Sequence, residues 1–296
     1  MKKITIQNKS SELNINLEKG GQIEKLLLTL PNSKKTISVI KPFDENENFF
    51  LSGNFLMYPW VNRIENTTIQ SAEKKITISP IQQDSNNFAI HGLYFNQERN
   101  KVAVTDHSAE IIPSTFNSFF PEFTETYLLE ESSLTIKTTF YNPTSDIQEF
   151  AYGYHPYLRL DSKLENCKIH TNLSHYIPLT NELLPNSALE KRNVSELFLT
   201  DKPIGNLELD HLLTGKEEEL YFGISNENYL LRVRIAANSQ LTFPYFQIYT
   251  PADKKSIAIE PMTSTGNAFF IKDSGICRLN PKEKKTGEFV IELRAL

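Results

Sequence analysis

Apolar and polar residues alternate at period two along much of this chain. Leu13-Asn14-Ile15-Asn16-Leu17 alternates without a break, and so do Leu134-Thr135-Ile136-Lys137, Leu231-Arg232-Val233-Arg234-Ile235 and Phe289-Val290-Ile291-Glu292-Leu293. Successive side chains of a strand point to opposite faces, so each run offers one apolar and one wet face. Turn-forming clusters separate the runs: Pro31-Asn32-Ser33, Asn142-Pro143-Thr144-Ser145-Asp146 and Gly205-Asn206. Many short strands at regular spacing predict an all-β protein, an antiparallel sandwich or barrel. Helical patterns are few. Residues 187–198 have room for one or two turns, and periodicity leaves residues 23–30 open between helix and strand. No repeat, low-complexity tract or linker interrupts the pattern, so residues 1–296 are read as a single domain.

Composition narrows the class. At 296 residues a chain can bury roughly 75% of its unfolded surface, enough for a sizeable core. Lys plus Arg is 31 and Asp plus Glu is 36, a net charge of −5. Nucleic acid and anionic membranes call for basic patches, so neither is an expected partner. Cys167 and Cys277 stand far apart in sequence, which excludes a disulfide framework and a cysteine-built zinc site. Buried, inert thiols are the expectation for both. Lys2 and Lys3 imitate the basic start of a signal peptide, but no apolar run follows. No stretch is long and apolar enough to span a bilayer. The expectation is a soluble cytoplasmic protein, a monomer or homodimer.

Five segments break the alternation and gather polar residues among aromatics: 57–64, 89–92, 153–158, 209–212 and 257–263. Glu260 ends the apolar run Ser256-Ile257-Ala258-Ile259, which reads as a buried strand. A carboxylate at the mouth of such a strand is partly desolvated, and Pro261 then fixes a local turn. A salt-bridged strand-end Glu explains Glu260 equally simply. His155 precedes Pro156, which favours extended backbone, and lies between Tyr154 and Tyr157. Imidazole both gives and takes a proton near neutrality, although a core histidine is the plain alternative. His91 precedes Gly92, which permits close backbone approach to a ligand. Arg63 offers a fork of donors suited to a polyol or carboxylate, or to a structural acid. Asp210 reads as a ligand or as a turn residue. His107, His170 and His175 read as surface or packing residues, and His211 points away from Asp210 on a strand. Tyr58, Trp60, Phe88, Tyr154, Tyr157 and Tyr249 surround these segments in sequence, a mixture suited to the apolar faces and hydroxyls of a sugar.

Together the segments resemble the aldose 1-epimerase (galactose mutarotase) family. The matching pieces are PWVNRI at 59–64, HG at 91–92, GYHPYL at 153–158, LDHLLTG at 209–215, YFQIYTP at 245–251 and IAIEPMTSTGNAFF at 257–270. They come in the family's order and cover nearly the whole chain. The resemblance implies an antiparallel β-supersandwich with few short helices and a site in a cleft on one face. It implies Glu260 as general base and His155 as general acid. Arg63, His91 and Asp210 would bind the sugar's hydroxyls, with Asn62 and Tyr157 in the same segments. It implies no cofactor and no metal. Glu260 is followed by Pro-Met-Thr and His91-Gly92 by Leu93, which resembles a less characterised branch and leaves the sugar open, glucose and galactose being the guesses.

Four rivals remain. A hexose-6-phosphate epimerase would need cations near the site, yet none follows Gly92 before Arg99. A non-catalytic sugar-binding module would not need both Glu260 and His155. A glycosidase would use Asp210 and Glu260 as its carboxylate pair. A metal site from His91, His155 and Glu260 lacks metal-type spacing.

Overall fold

The computed structural model describes residues 2–43, 46, 48–72, 74–198, 200 and 202–296. Strands dominate, and two large antiparallel sheets organise them. At the centre of the eleven-stranded sheet, Asn54–Met57, Gly153–Leu158, Ile257–Met262, Tyr245–Tyr249 and Asp210–Thr214 lie side by side. Gln22–Thr29, Ser11–Asn16 and Lys3–Asn8 extend one flank, and His175–Ile177 with Arg192–Asn193 the other. The eight-stranded sheet runs from Arg99–Val104 through Ser108–Pro113, Glu122–Leu129, Ser133–Tyr141, Lys284–Ala295, Tyr229–Ile235 and Tyr221–Ser225 to Lys168–Thr171. This is the expected all-β sandwich.

The alternating runs form strands, and their apolar faces meet. Leu13, Ile15, Leu56, Ile248 and Ile259 of the first sheet share one core cluster with Ile136, Phe140, Leu231 and Ile291 of the second. Each such side chain contributes roughly 1.5–3 kcal/mol by leaving water. Of residues 23–30, ambiguous by pattern, all but Leu30 belong to the strand Gln22–Thr29. Residues 187–198 hold only one 3₁₀ turn, Val194–Glu196, capped by the Asn193 side chain. Leu189 at φ +48° interrupts any longer helix.

One polar network crosses the core. Arg99 and Glu125 are fully buried, with Arg99 Nε 2.6 Å from Glu125 Oε2. The Tyr154 and Tyr127 hydroxyls donate to Glu125 Oε1 at 2.5 and 3.1 Å. Arg99 also donates to the carbonyls of Gln97 and Tyr94. One network thereby ties the segment after His91 to the strand that carries His155.

Candidate active site

Period two sorts the five central strands into two faces. One face joins the main core. The other carries Phe55, His155, Tyr157, Ala258, Glu260, Gln247, Tyr249, Asp210 and Leu212, as the strand registers require. A second, smaller apolar cluster packs on this outer face, including Phe55, Met57, Tyr157, Leu212 and Met262.

His155 and Glu260 are brought together by register. Gly153 pairs with Met262 and Tyr157 with Ala258, which sets His155 opposite Glu260. His155 Nε2 lies 3.2 Å from Glu260 Oε1, and both side chains are buried. His155 Nδ1 and Glu260 Oε2 have no hydrogen-bond partner in the protein. Glu260 is not at a strand mouth, as the sequence suggested, but inside the strand Ile257–Met262. Pro261 makes no turn; it lies in the same strand opposite Phe246. Pro156 and Pro261 both stand in central strands, where a missing N–H weakens the ladder beside the pair. The His155 ring stacks on Phe55 at 4.7 Å and meets Tyr157 at 4.8 Å. Tyr154 does not flank it, because one step along a strand reverses the face.

His91 completes a ring cluster, 5.1 Å edge-on from His155. Its Nδ1 lies 3.1 Å from Met57 Sδ, and its backbone N–H donates to the Asn62 carbonyl. Asn62, His91 and Gly92 all have positive φ, so two tight turns meet here. Gly92 serves the fold: an added Cβ would lie 2.1 Å from the Tyr58 carbonyl oxygen. It does not open the backbone to a ligand. Arg63 donates from Nε to Asp84 at 2.7 Å and from Nη1 to Asn62 Oδ1 at 2.9 Å. The Asn267 N–H holds the Arg63 carbonyl at 2.6 Å. The structural reading of Arg63 therefore holds, a paired arginine at the edge of the site face.

Asp210 opens the strand Asp210–Thr214 and accepts from Gln247 Nε2 at 2.6 Å. Gln247 is buried and faces Glu260 directly across the next strand pair. Residue-by-residue reading missed Gln247, Asp84 and Phe55. Only strand pairing reveals Gln247 and Phe55, and Asp84 sits in a polar loop with no pattern. The aromatic set divides. Tyr157 and Tyr249 belong to the site face, whereas Tyr58, Trp60 and Tyr154 fill the main core. The Tyr157 hydroxyl donates to the Phe50 carbonyl. His170 and His175 bond to Ser225 and Ser174, away from these strands. Cys167 and Cys277 are free thiols, buried and half-buried.

Burial dominates the electrostatics. It raises the Glu260 carboxyl well above its usual range, assisted by the negative charge of Asp210 and opposed by Arg63. It lowers the His155 imidazole to about 3. His91 is also held well below its usual value, by burial and then by His155 and Arg63. Asp210 is raised by burial, against the pull of Gln247, Arg63 and His211. The pair thus shares one proton most easily, as carboxylic acid beside neutral imidazole. Among the described residues no three His, Cys, Asp or Glu side chains converge as metal ligands. No helix among them is long and apolar enough to cross a membrane.

A family model described as aldose 1-epimerase matches residues 2–292. No curated protein sequence matches the chain. A galactose mutarotase-like protein from Clostridium acetobutylicum superposes with a TM-score of 0.80 at 19% identity, covering 99% of this chain and 95% of that one. An aldose epimerase homologue from C. elegans gives 0.79 at 17%, covering 100% and 99%. A galactose mutarotase-like protein from Lactobacillus casei gives 0.77 at 17%, covering 99% and 100%. At such identities these structures establish the shared fold.

Proposed function

This chain belongs to the aldose 1-epimerase family, and from that premise we propose that it interconverts the α and β anomers of a free hexose such as glucose or galactose. The observation that carries the reading is the buried His155–Glu260 pair, 3.2 Å apart on one sheet face. Glu260 takes the proton of the anomeric hydroxyl while His155 gives one to the ring oxygen. The C1–O5 bond breaks and C1 becomes a carbonyl. Rotation about C1–C2 and the reverse transfers close the ring on the other face. Ring opening turns carboxylate and imidazolium into carboxylic acid and imidazole, the pair that burial favours. Arg63 and the sugar's hydroxyls favour the carboxylate at the start. No electrons or groups leave the sugar, so no cofactor enters the scheme. Asp210, held by Gln247, and His91, with Asn62 and Arg63 at the edge, orient the hydroxyls. We read residues 1–296 as one such unit, working in the cytoplasm.

Charge favours an unphosphorylated sugar. Arg63 is engaged by Asp84 and Lys41 by Asp253, while Asp210 brings negative charge to the site face and the His155–Glu260 pair, sharing one proton, is neutral overall. A phosphate dianion would meet the Asp210 carboxylate and cations already paired.

Polarimetry on fresh α-D-glucose and α-D-galactose tests the reading. Wild type is expected to speed anomer interconversion above the buffer rate. Glu260→Gln and His155→Asn should each lose about 10²–10⁴-fold, the usual contribution of a positioned proton-transfer group. A fully active Glu260→Gln protein refutes the assigned base. Acceleration only with glucose 6-phosphate would transfer the reading to the phosphorylated sugar.

A further inference from the structure

The acid–base pair is almost closed off, with side-chain exposures of 6% for His155 and 2% for Glu260. A hexose cannot reach atoms so covered unless something above them moves. The cover is identifiable. The three rings that pack on His155 are Phe55, His91 and Tyr157. All three also meet one short 3₁₀ turn, Phe49–Leu51. The Phe50 ring lies 5.4 Å from Phe55 and 5.3 Å from His91, and the Phe50 carbonyl accepts the Tyr157 hydroxyl. Phe49 adds contacts to Phe55 and Phe95, each at 5.5 Å. This turn therefore spans the face from one flank of His155 to the other.

The turn stands just before a point where the chain is fastened back to the sheet. The Gly53 N–H donates to the Lys41 carbonyl at 2.9 Å. Both ends are clamped to one sheet residue: Lys41 N–H donates to the Tyr157 carbonyl, and Tyr157 N–H donates to the Gly53 carbonyl. Surface loops with joined ends are compact units that often carry function. Gly53, at φ +74°, forms one hinge point. The Asn48 side chain caps the turn by accepting the Phe50 N–H at 3.0 Å. The turn meets the site face through the Phe50 ring contacts and the Tyr157–Phe50 hydrogen bond, the makeup of a segment that opens locally.

We infer that the Phe49–Leu51 turn is a cover that lifts to admit substrate, and that Phe50 is a specificity-determining residue that closes its ring onto an apolar face of the sugar. On closure around a sugar, the Tyr157 hydroxyl exchanges the Phe50 carbonyl for a sugar hydroxyl. The sugar contact and the identity of what the cover admits rest on the proposed mutarotase reading; the packing of the turn over His155 does not.

Histidine acylation by diethyl pyrocarbonate, mapped by mass spectrometry, separates the two. In wild type, His155 and His91 should react far more slowly than exposed His107. Phe50→Ala and Tyr157→Phe should speed both on the order of tenfold, the size expected for losing aromatic contacts or a latch bond. His107 should not change, and buried Cys167 should stay unreactive to a thiol reagent, which shows that the core is intact. Wild-type His155 as reactive as His107, or protection unchanged in both variants, overturns the cover. In polarimetry Phe50→Ala should raise KM more than it lowers kcat. An unchanged KM overturns the sugar contact. If wild type turns over no sugar, the mutarotase reading and the sugar contact fall together, while the acylation pattern still decides the cover.

Discussion

The proposed reaction starts with Glu260 and His155 carrying opposite charges, in a place that penalises both charges. That conflict should be visible without any substrate. Between pH 6.5 and about 3 the unfolded chain holds a proton on His155 that the folded chain refuses. The native state therefore loses stability as pH falls through that window, with a slope up to about 1.4 kcal/mol per pH unit. Glu260 acts with the opposite sign. Its folded pKa lies above the unfolded value of 4.5, so the stability it supplies at low pH is lost as pH rises through the folded value. Thermal melts should show His155→Asn gaining on wild type as pH drops below 6.5. Glu260→Gln should gain as pH rises above 4.5. Melting curves that stay parallel to wild type across pH would contradict the burial argument. Gln247 belongs to the same scale. Gln247→Leu removes the donor that holds Asp210, and hydrogen bonds to charged groups are worth roughly 1.5–3 kcal/mol. Polarimetry should show weaker sugar binding, and unchanged kinetics would remove Gln247 from the site.

Among the elements, the turn that presents His91 depends most on one residue. In Gly92→Ala the new Cβ would fall 2.1 Å from the Tyr58 carbonyl oxygen, at a backbone φ of +86°. Such strained positions cost on the order of 1–3 kcal/mol, so urea melts should shift to lower midpoints and His91 should be displaced. A midpoint equal to wild type would show that the turn tolerates the clash. Legibility follows the same division. The alternating strands could be read directly, because their apolar faces are their reason for existing. Glu260, His155, Arg63, His91 and Asp210 could be named as candidates, because each sits in a segment that breaks alternation. The ring packing could not be read. Tyr154 and Tyr157 look equivalent beside His155, yet one step along the strand sends Tyr154 into the core. Gln247 and Phe55 look like ordinary strand residues until register pairs them with Glu260 and His155. Pro261 reads as a turn in sequence, although the strand continues through it.

In the molecule as a whole, the two sheets meet around a charged pair as well as around apolar side chains. Arg99 and Glu125 have no exposed surface. Removing one partner of such a pair leaves a buried charge and costs about 3–5 kcal/mol. Arg99→Met should therefore lower the unfolding free energy by that amount in urea titration, and a loss below 1 kcal/mol would show the network to be incidental. The effect should also reach activity, because Arg99 holds the Tyr94 and Gln97 carbonyls downstream of His91, and Glu125 holds Tyr154 beside His155. The placement of His155 opposite Glu260 has a kinetic corollary. A slip of one residue between their strands would put the two side chains on opposite faces. Under the proposed reaction, turnover is then an all-or-none gauge of correct assembly, and during refolding it should return only after the far-ultraviolet β signal is already complete.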